Sequence, residues 1–453
     1  MLVIISDLHL GDGTSIKPIE SSAFRLFEAR LTELAYNASW RANGKYRPLR
    51  EINILWLGDI LDPIQTAAWL DTKYGDDDYT RPWTDVSDPK FAKKLKEITH
   101  SILENNRHAV DAIYNITRNN AILLPPTIGD GQPNPTAKEK IVVKVNIYYM
   151  VGNHDWVYHL PGEAFDEIRQ DIIETFGLAN EAGPFPHELD ENPKLAELLA
   201  QYKVYARHGD IFSPFTYNKE KGRNASTLSD MFTIEVITRF PFELERQLQH
   251  IIPKRVLENL RYTSNVRPII ATPIWAISQI TNEELGISEQ NKIRKIWNET
   301  IGNFSVLQKK YYPFKFPILQ KLFQVFSSLV KSVPASIYMG LTLWVYKRFW
   351  KNNEYTLVKY ALEEEAFVGK KANYIVYGHL HDYEMVPLDL DPVFADQNRL
   401  YFNSGTWRTY NALARHQLNT KHFVPYSVLT YLTFYKEDQR EGRHFETWSG
   451  AFQ

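Results

Sequence analysis

The chain contains no cysteine. That excludes disulfides, zinc–thiolate sites and cysteine nucleophiles together. It also removes the main marker of an oxidising compartment. Net charge is nearly absent, since 52 basic against 54 acidic side chains leave a formal charge of −2. No global field draws the whole molecule to nucleic acid or anionic lipid, so any such attraction must be local. Long apolar runs are missing as well. The closest, Ser332–Tyr346, contains Pro334 and falls short of the ~18–20 residues a membrane-spanning helix requires. There is no internal repeat and no low-complexity tract. The first residues carry no basic n-region and no small-residue cleavage site, so no signal peptide is expected. These absences lead to the expectation of a cytoplasmic protein, with peripheral contact at the inner membrane surface as the membrane role left open.

What is present is a series of short apolar strands. With 453 residues the chain has room for two or three ordinary domains, or one enlarged domain with an insertion. Strands are expected at Leu2–Ser6, Ile52–Leu57, Val142–Val151, Tyr202–Arg207, Tyr374–Tyr377 and Leu400–Phe402. Tyr426–Tyr435 and Arg443–Trp448 read as a closing hairpin. Between them, Ser22–Tyr36 has apolar residues at helical spacing, and Phe91–Arg118 reads as one long amphipathic helix. From Ser213 to Lys371 the pattern changes to helices broken by prolines, with no comparable strand. The expected organisation is a catalytic domain built from 1–212 and 373–453, interrupted by a helical cap at 213–372.

Each of the early strands stops at a polar cluster: "SDLH", "GD", "GNHD", "HGD" and "GHLH". In layered α/β folds such loops share one rim. The clusters supply Asp7, His9, Asp59, Asn153, His154, Asp155, His208, His379 and His381. All are oxygen or imidazole donors, a set suited to Mn²⁺, Fe, Zn²⁺ or Mg²⁺. Asp7 with His9, and His379 with His381, stand two residues apart at strand ends and can reach the same side. Two such pairs and a shared Asp are too many ligands for one ion, so two are expected, clamping a phosphoryl group between them. Any one of these residues is as readily a core histidine or a turn aspartate. Together they have no structural purpose. Asp62 is open between supporting a ligand and capping a helix. Asp12 reads as a turn residue, and His159 is the remaining histidine nearest the site.

The order Asp-x-His, Gly-Asp, Gly-Asn-His-Asp, His, Gly-His-x-His resembles the calcineurin-like metallophosphoesterase superfamily. The resemblance implies an α/β fold, a four-layer αββα sandwich of two mixed sheets. It implies that Asp7, His9 and His381 hold a first metal, that Asn153, His208 and His379 hold a second, and that Asp59 bridges them. The cofactors implied are two divalent ions, Mn²⁺ foremost, with Fe or Zn²⁺ as alternatives. The implied reaction is hydrolysis of a phosphoester or pyrophosphate bond by attack of a metal-bridging hydroxide. His154 lies outside this ligand set and is the candidate to assist the leaving group, oriented by Asp155. "FNSGTW" at Phe402–Trp407 is similar to the family's closing strand. The place of the insertion and the "HGD" triplet are most similar to the UDP-diacylglucosamine pyrophosphohydrolases, which carry Arg where this chain has His154 and have a shorter cap.

The substrate stays open between lipid-linked, nucleotide-containing and other phosphorylated molecules. Thr300–Asn353 has no acidic residue, while basic and aromatic side chains such as Lys309, Tyr312, Phe323, Trp344 and Arg348 alternate. Such a surface fits anionic lipid or stacked nucleic-acid bases. It equally fits a cap with its own core and a lysine rim. A nuclease and a non-catalytic metal-binding scaffold are the alternative functions. Repair nucleases of this superfamily place their capping domain after the Gly-His-x-His block, where this chain has only sheet-completing strands. A scaffold would be expected to have lost ligands.

Overall fold

Leu2–Ile5 (β1) sets the pattern on which both sheets are built. The computed structural model describes residues 1–267, 275–276, 278–279, 285–313, 356–389, 398–414, 423–436 and 438–452. Successive side chains of a strand point to opposite faces. Leu2 and Ile4 join one apolar cluster, Val3 and Ile5 another. β1 is therefore buried on both sides, which is why it reads as an unbroken apolar run.

The remaining strands are β2 (Glu51–Leu57), β3 (Leu123–Leu124), β4 (Ile141–Val142), β5 (Lys144–Met150), β6 (Val204–Arg207), β7 (Val266–Arg267), β8 (Tyr374–Tyr377), β9 (Tyr383–Asp389), β10 (Arg399–Ser404), β11 (Thr409–Leu413), β12 (Phe423–Phe434) and β13 (Phe445–Phe452). The larger sheet runs β5-β2-β1-β12-β11-β7, with β13 also on β12. The smaller runs β6-β8-β10-β9, and β3 with β4 forms a separate ribbon. β5, β2 and β1 are parallel, whereas β12 is antiparallel to β1, β11 and β13. In the smaller sheet β6, β8 and β10 are parallel and β9 is antiparallel. Both sheets are thus mixed.

Between the sheets lie Leu2, Ile4, Leu55, Leu57, Val376, Phe402 and Phe434. The outer face of the larger sheet carries α1 (Ser21–Ala38), α2 (Pro89–Asn105), α3 (Arg107–Arg118) and α4 (Glu163–Phe176), whose Phe27, Leu95, Ile113 and Ile172 meet Ile54, Trp56 and Ile147. Leu357, Ala361 and Phe367 cover the outer face of the smaller sheet at Ile375, Tyr377 and Tyr401. The order of layers is helix, sheet, sheet, helix, as the resemblance implies.

Two readings of the sequence need correction here. Phe91–Arg118 is not one helix. Asn106 interrupts it, with its Nδ2 donating to the carbonyl of Gly11 at 2.8 Å and to that of Ile102 at 2.8 Å. A short amide that finds a tertiary acceptor competes with the helical ladder. The segment from Ser213 to Lys371, read as helices with no strand-and-cluster unit, contains the two-residue β7, which pairs in parallel with β11 through Val266↔Asn411 and Arg267↔Ala412. Otherwise its described regular elements are helical, including Leu228–Phe232, a π-helix at Thr233–Thr238, Arg239–Leu248, Lys254–Arg261 and Ile287–Tyr311. The strands at β9 and β11 were not expected, while the closing hairpin is present as β12 and β13, with Phe434 opposite Phe445. Of the basic aromatic segment Thr300–Asn353, residues 314–353 lie outside the described residues. No helix among the described residues is long and apolar enough to cross a membrane.

Strand registers place the functional loops at one height. Ile5 stands opposite Trp56, Leu57 opposite Met150, and Arg207 opposite Tyr377. The residues that follow these ends share one rim. Phe402 is fully buried between the sheets, its ring 5.2 Å from that of Phe445 and 5.8 Å from that of Phe434. Phe402→Ala is expected to lower stability by about 3–5 kcal/mol, read as a fall in the urea midpoint. A loss under about 1 kcal/mol would mean that the inter-sheet core is not close-packed here.

Candidate metal centre

The loops after β1, β2 and β8 place their polar side chains through unusual backbone. Among the described residues ten non-glycine residues have positive φ, and five of them are Asp7 (54°), His9 (48°), Asp59 (54°), His379 (70°) and His381 (65°). This left-handed conformation costs roughly 1–2 kcal/mol for a residue with a Cβ. It persists where surrounding structure over-determines it, commonly at functional sites. Here it turns both members of each two-residue pair toward a common centre.

Around that centre Asp7, His9, Asp59 and His381 offer donor atoms that all lie within 4.8 Å of one another, as do Asp59, His208 and His379, and as do His9, Asp62 and His154. His381 Nε2 is 3.0 Å from His9 Nε2 and 3.3 Å from Asp7 Oδ1. His208 Nε2 is 3.2 Å from Asp59 Oδ2 but out of line for a hydrogen bond. The backbone N–H of His379 donates to Asp7 Oδ2 at 3.0 Å, and that of His154 to Asp59 Oδ1 at 2.8 Å. Ser6 Oγ also donates to Asp7. Asn153 precedes His154, with its side chain buried.

Three donor atoms decide what this cluster fits. Asn153 Oδ1, His208 Nε2 and His379 Nδ1 are buried and have no hydrogen-bond partner among the described residues. Leaving a buried polar atom unpaired costs about 1–3 kcal/mol. His208 and His379 stand together with the buried carboxylate of Asp59, and a cation among them would give all three a partner. The donors are hard or borderline, as a divalent ion of the Mn²⁺, Fe or Zn²⁺ kind requires. Burial pushes the imidazoles of His9, His379 and His381 below their ordinary range, keeping them neutral, the form that binds metal. Burial would raise Asp59, but His208 and His154 outweigh it and hold that carboxylate well below its usual range. The buried His/Asp cluster can therefore hold a metal ion.

The glycines before Asp59, Asn153 and His379 serve more than a turn. Gly58 does have φ +84°, but Gly152 and Gly378 do not lie in the left-handed region. They are there for room. A Cβ on Gly152 would meet Asp59 Oδ1 and stand 2.7 Å from His208 Nε2. One on Gly378 would stand 2.8 Å from Asp7 Oδ2.

Asp155 does not take the task expected of it. Its carboxylate accepts from Tyr149 OH at 2.6 Å, Ile60 N at 2.9 Å and Gly152 N at 2.5 Å, tying the loops after β2 and β5 together. Burial, with Asp59 nearby, raises its pKa to about 7. The carboxylate beside His154 is Asp62, whose Oδ2 lies 2.9 Å from His154 Nδ1 and 2.8 Å from His9 Nδ1. The Oδ1 of Asp62 accepts from Ile64 N and Gln65 N, so it supports the ligand and caps the turn at once. Burial opposes charge on His154, but Asp62 and Asp59 prevail and raise its pKa to about 10. Asp12 is the turn residue expected, accepting from Thr14 N at 3.0 Å. His159 bonds Asn224 at 2.7 Å in a neighbouring network with His187, Asp210 and Arg223.

Sequence reading missed Arg267 and Arg408. Arg267 Nη2 donates to His381 Nδ1 at 2.8 Å, and Arg408 reaches Ser264 Oγ at 3.2 Å. Neither belongs to a strand-end cluster. The only signal was that Arg408 follows directly on the "NSGTW" turn. Compared with protein-family models, curated proteins and solved structures, the chain matches none.

Two substitutions check the site. Asp62→Asn is expected to weaken Mn²⁺ binding about 10–100-fold in a calorimetric titration, because it removes the carboxylate that fixes His9. Gly152→Ala is expected to lower Mn²⁺ content and stability together, the latter by about 1–3 kcal/mol. Full metal content in the alanine variant would show that the space beside Asp59 is not part of the site.

Proposed function

We propose that the cluster holds two divalent cations, Mn²⁺ foremost, and that the chain is a phosphoesterase of the calcineurin-like metallophosphoesterase type. One observation carries this reading. The buried carboxylate of Asp59 belongs to two groups of donors at once, one with Asp7, His9 and His381, the other with His208 and His379. A carboxylate shared in this way is what a bridged pair of ions needs, and Asn153 Oδ1 is a further buried atom with no hydrogen-bond partner among the described residues.

When bound, a pair of divalent ions neutralises the phosphoryl oxygens and supplies a nucleophile near neutral pH. The chain's own residues do the rest. Asp7 and Asp59 are fixed by backbone N–H donors from His379 and His154, so their oxygens are held before substrate arrives. Asp62 accepts at His9 Nδ1, which leaves His9 Nε2 as the ligand atom. The same carboxylate holds His154 through Nδ1, and His154 Nε2 has no hydrogen bond to a described residue. His154 can then give a proton to the departing oxygen. The substrate class is a phosphate ester. The lipid and nucleic-acid contacts expected from Thr300–Asn353 rest mainly on side chains outside the described residues.

The test is metal content by mass spectrometry, with Mn²⁺-dependent hydrolysis of chromogenic phosphate mono- and diesters. Asp59→Asn is expected to lose both bound metal and activity. His154→Ala is expected to keep its metal and lose about 10²–10⁴-fold in kcat. Undiminished turnover in His154→Ala would remove the proton-donor role. An unaltered chain that binds no Mn²⁺, Fe or Zn²⁺ would remove the reading itself.

A further inference from the structure

On its His381 side the cluster is bordered by two guanidinium groups that form no contact ion pair with a carboxylate among the described residues. Arg267 comes from β7, in the segment inserted between "HGD" and "GHLH". Arg408 comes from the turn between β10 and β11. Arg408 is buried and donates to Ser264 Oγ and Asn265 Oδ1. Arg267 donates through Nη1 to the carbonyls of Ser264 at 2.9 Å and Val266 at 3.0 Å, and through Nη2 to His381 Nδ1. Its guanidinium lies 4.4 Å from the centre of the Tyr410 ring. Every one of these partners is neutral.

Among the described residues neither arginine forms an ion pair with a carboxylate. Other arginines do, as the buried Arg81 with Glu235 and Arg169 with Asp166, and the half-buried Arg223 with Asp210, show. Burial, with Arg267 beside it, lowers Arg408 to about 10 against the opposing pull of Asp62 and Asp7, so it stays a cation at neutral pH. Two like charges side by side, with no carboxylate in direct contact, are unfavourable, and Asp382 near Arg267 and Asp62 and Asp7 near Arg408 offset this only from a distance. Cations in the adjacent cluster would add to that positive charge. The neutral acceptors fix the direction of both forks while cancelling none of it. An anion in direct contact is the partner that such a pair can still take, and a guanidinium fork matches phosphate oxygens in shape.

We propose that Arg408 and Arg267 grip the non-bridging oxygens of a phosphate group carrying two negative charges, and so select phosphomonoesters over phosphodiesters. The proposal rests on the phosphoesterase reading above and names its substrate class. It also gives the inserted segment a part in the site, since β7 delivers one of the two cations.

Arg408 touches none of the expected metal ligands, so it is the residue to change. Arg408→Gln and Arg408→Lys are compared with the unaltered chain in Mn²⁺. Inorganic phosphate is titrated by calorimetry, and kcat/KM is measured for 4-nitrophenyl phosphate and bis(4-nitrophenyl) phosphate. The glutamine variant is expected to bind phosphate about tenfold or more weakly and to lower the monoester-to-diester ratio by a similar factor, with lysine between. The melting temperature of the metal-free glutamine variant is expected not to fall, because an uncompensated buried charge has gone. No phosphate binding by the unaltered chain, binding within about twofold in the glutamine variant, or equal loss on both esters overturns the proposal. Phosphate binding that follows Arg408 in a protein hydrolysing neither ester supports the clamp and removes the phosphoesterase reading. Hydrolysis of both esters with no dependence on Arg408 does the reverse. If Arg408→Gln does not fold, Arg408→Lys and Arg267→Gln carry the same phosphate titration with the same criteria.

Discussion

A carboxylate buried at a strand end is the constraint around which the rest is arranged. Asp59 stands where two parallel strands finish, removed from water, and its charge has to be met by neighbours. Backbone N–H groups and imidazoles meet it from three separate loops, and Asp7 beside it adds a second buried carboxylate. Two like charges this close do not assemble by themselves. They are forced together by the apolar contacts below them, where Leu2, Ile4, Leu57, Val376 and Phe402 close the space between the sheets. The hydrophobic core thus supplies the free energy that the site consumes.

Where that free energy goes is visible in the backbone. Asp7, His9, Asp59, His379 and His381 all adopt the left-handed conformation that glycine would take without strain. Glycine cannot serve there, because the side chain is what the position is for. The neighbouring Gly152 and Gly378 are the converse case, positions where a side chain would fill the place of a ligand. Strain and smallness alternate along the same loops for one reason, which is to bring several donors to one point without collision.

The inserted helical segment is more than a cover. The buried pair of Arg81 and Glu235 fastens its π-helix to the loop after β2. Its Thr263–Arg267 stretch reaches the site itself. Ser264 Oγ accepts from Gln65 at 2.9 Å and from Arg408, and β7 extends the larger sheet. A movement of the insertion would therefore be felt at His381 through Arg267. Charge follows the same division. Carboxylates and imidazoles come from the sheet loops, and the insertion contributes a cation at their edge.

Much of this molecule is legible along the chain. Apolar runs such as Leu2–Ile5 and Tyr374–Tyr377 announce strands buried on both faces, and the polar residues that follow name the site's members. These are local properties, set by which side chains can be removed from water and which cannot. Tertiary structure alone decided who partners whom. That Asp62 rather than Asp155 stands beside His154, that Asn106 breaks a helix to reach Gly11, and that Arg267 reaches His381 while Arg408 reaches Ser264 all depend on strand register and loop packing. Those pairings join residues tens to hundreds of positions apart. Periodicity encodes burial within one element, and it carries no record of the neighbour on the other side.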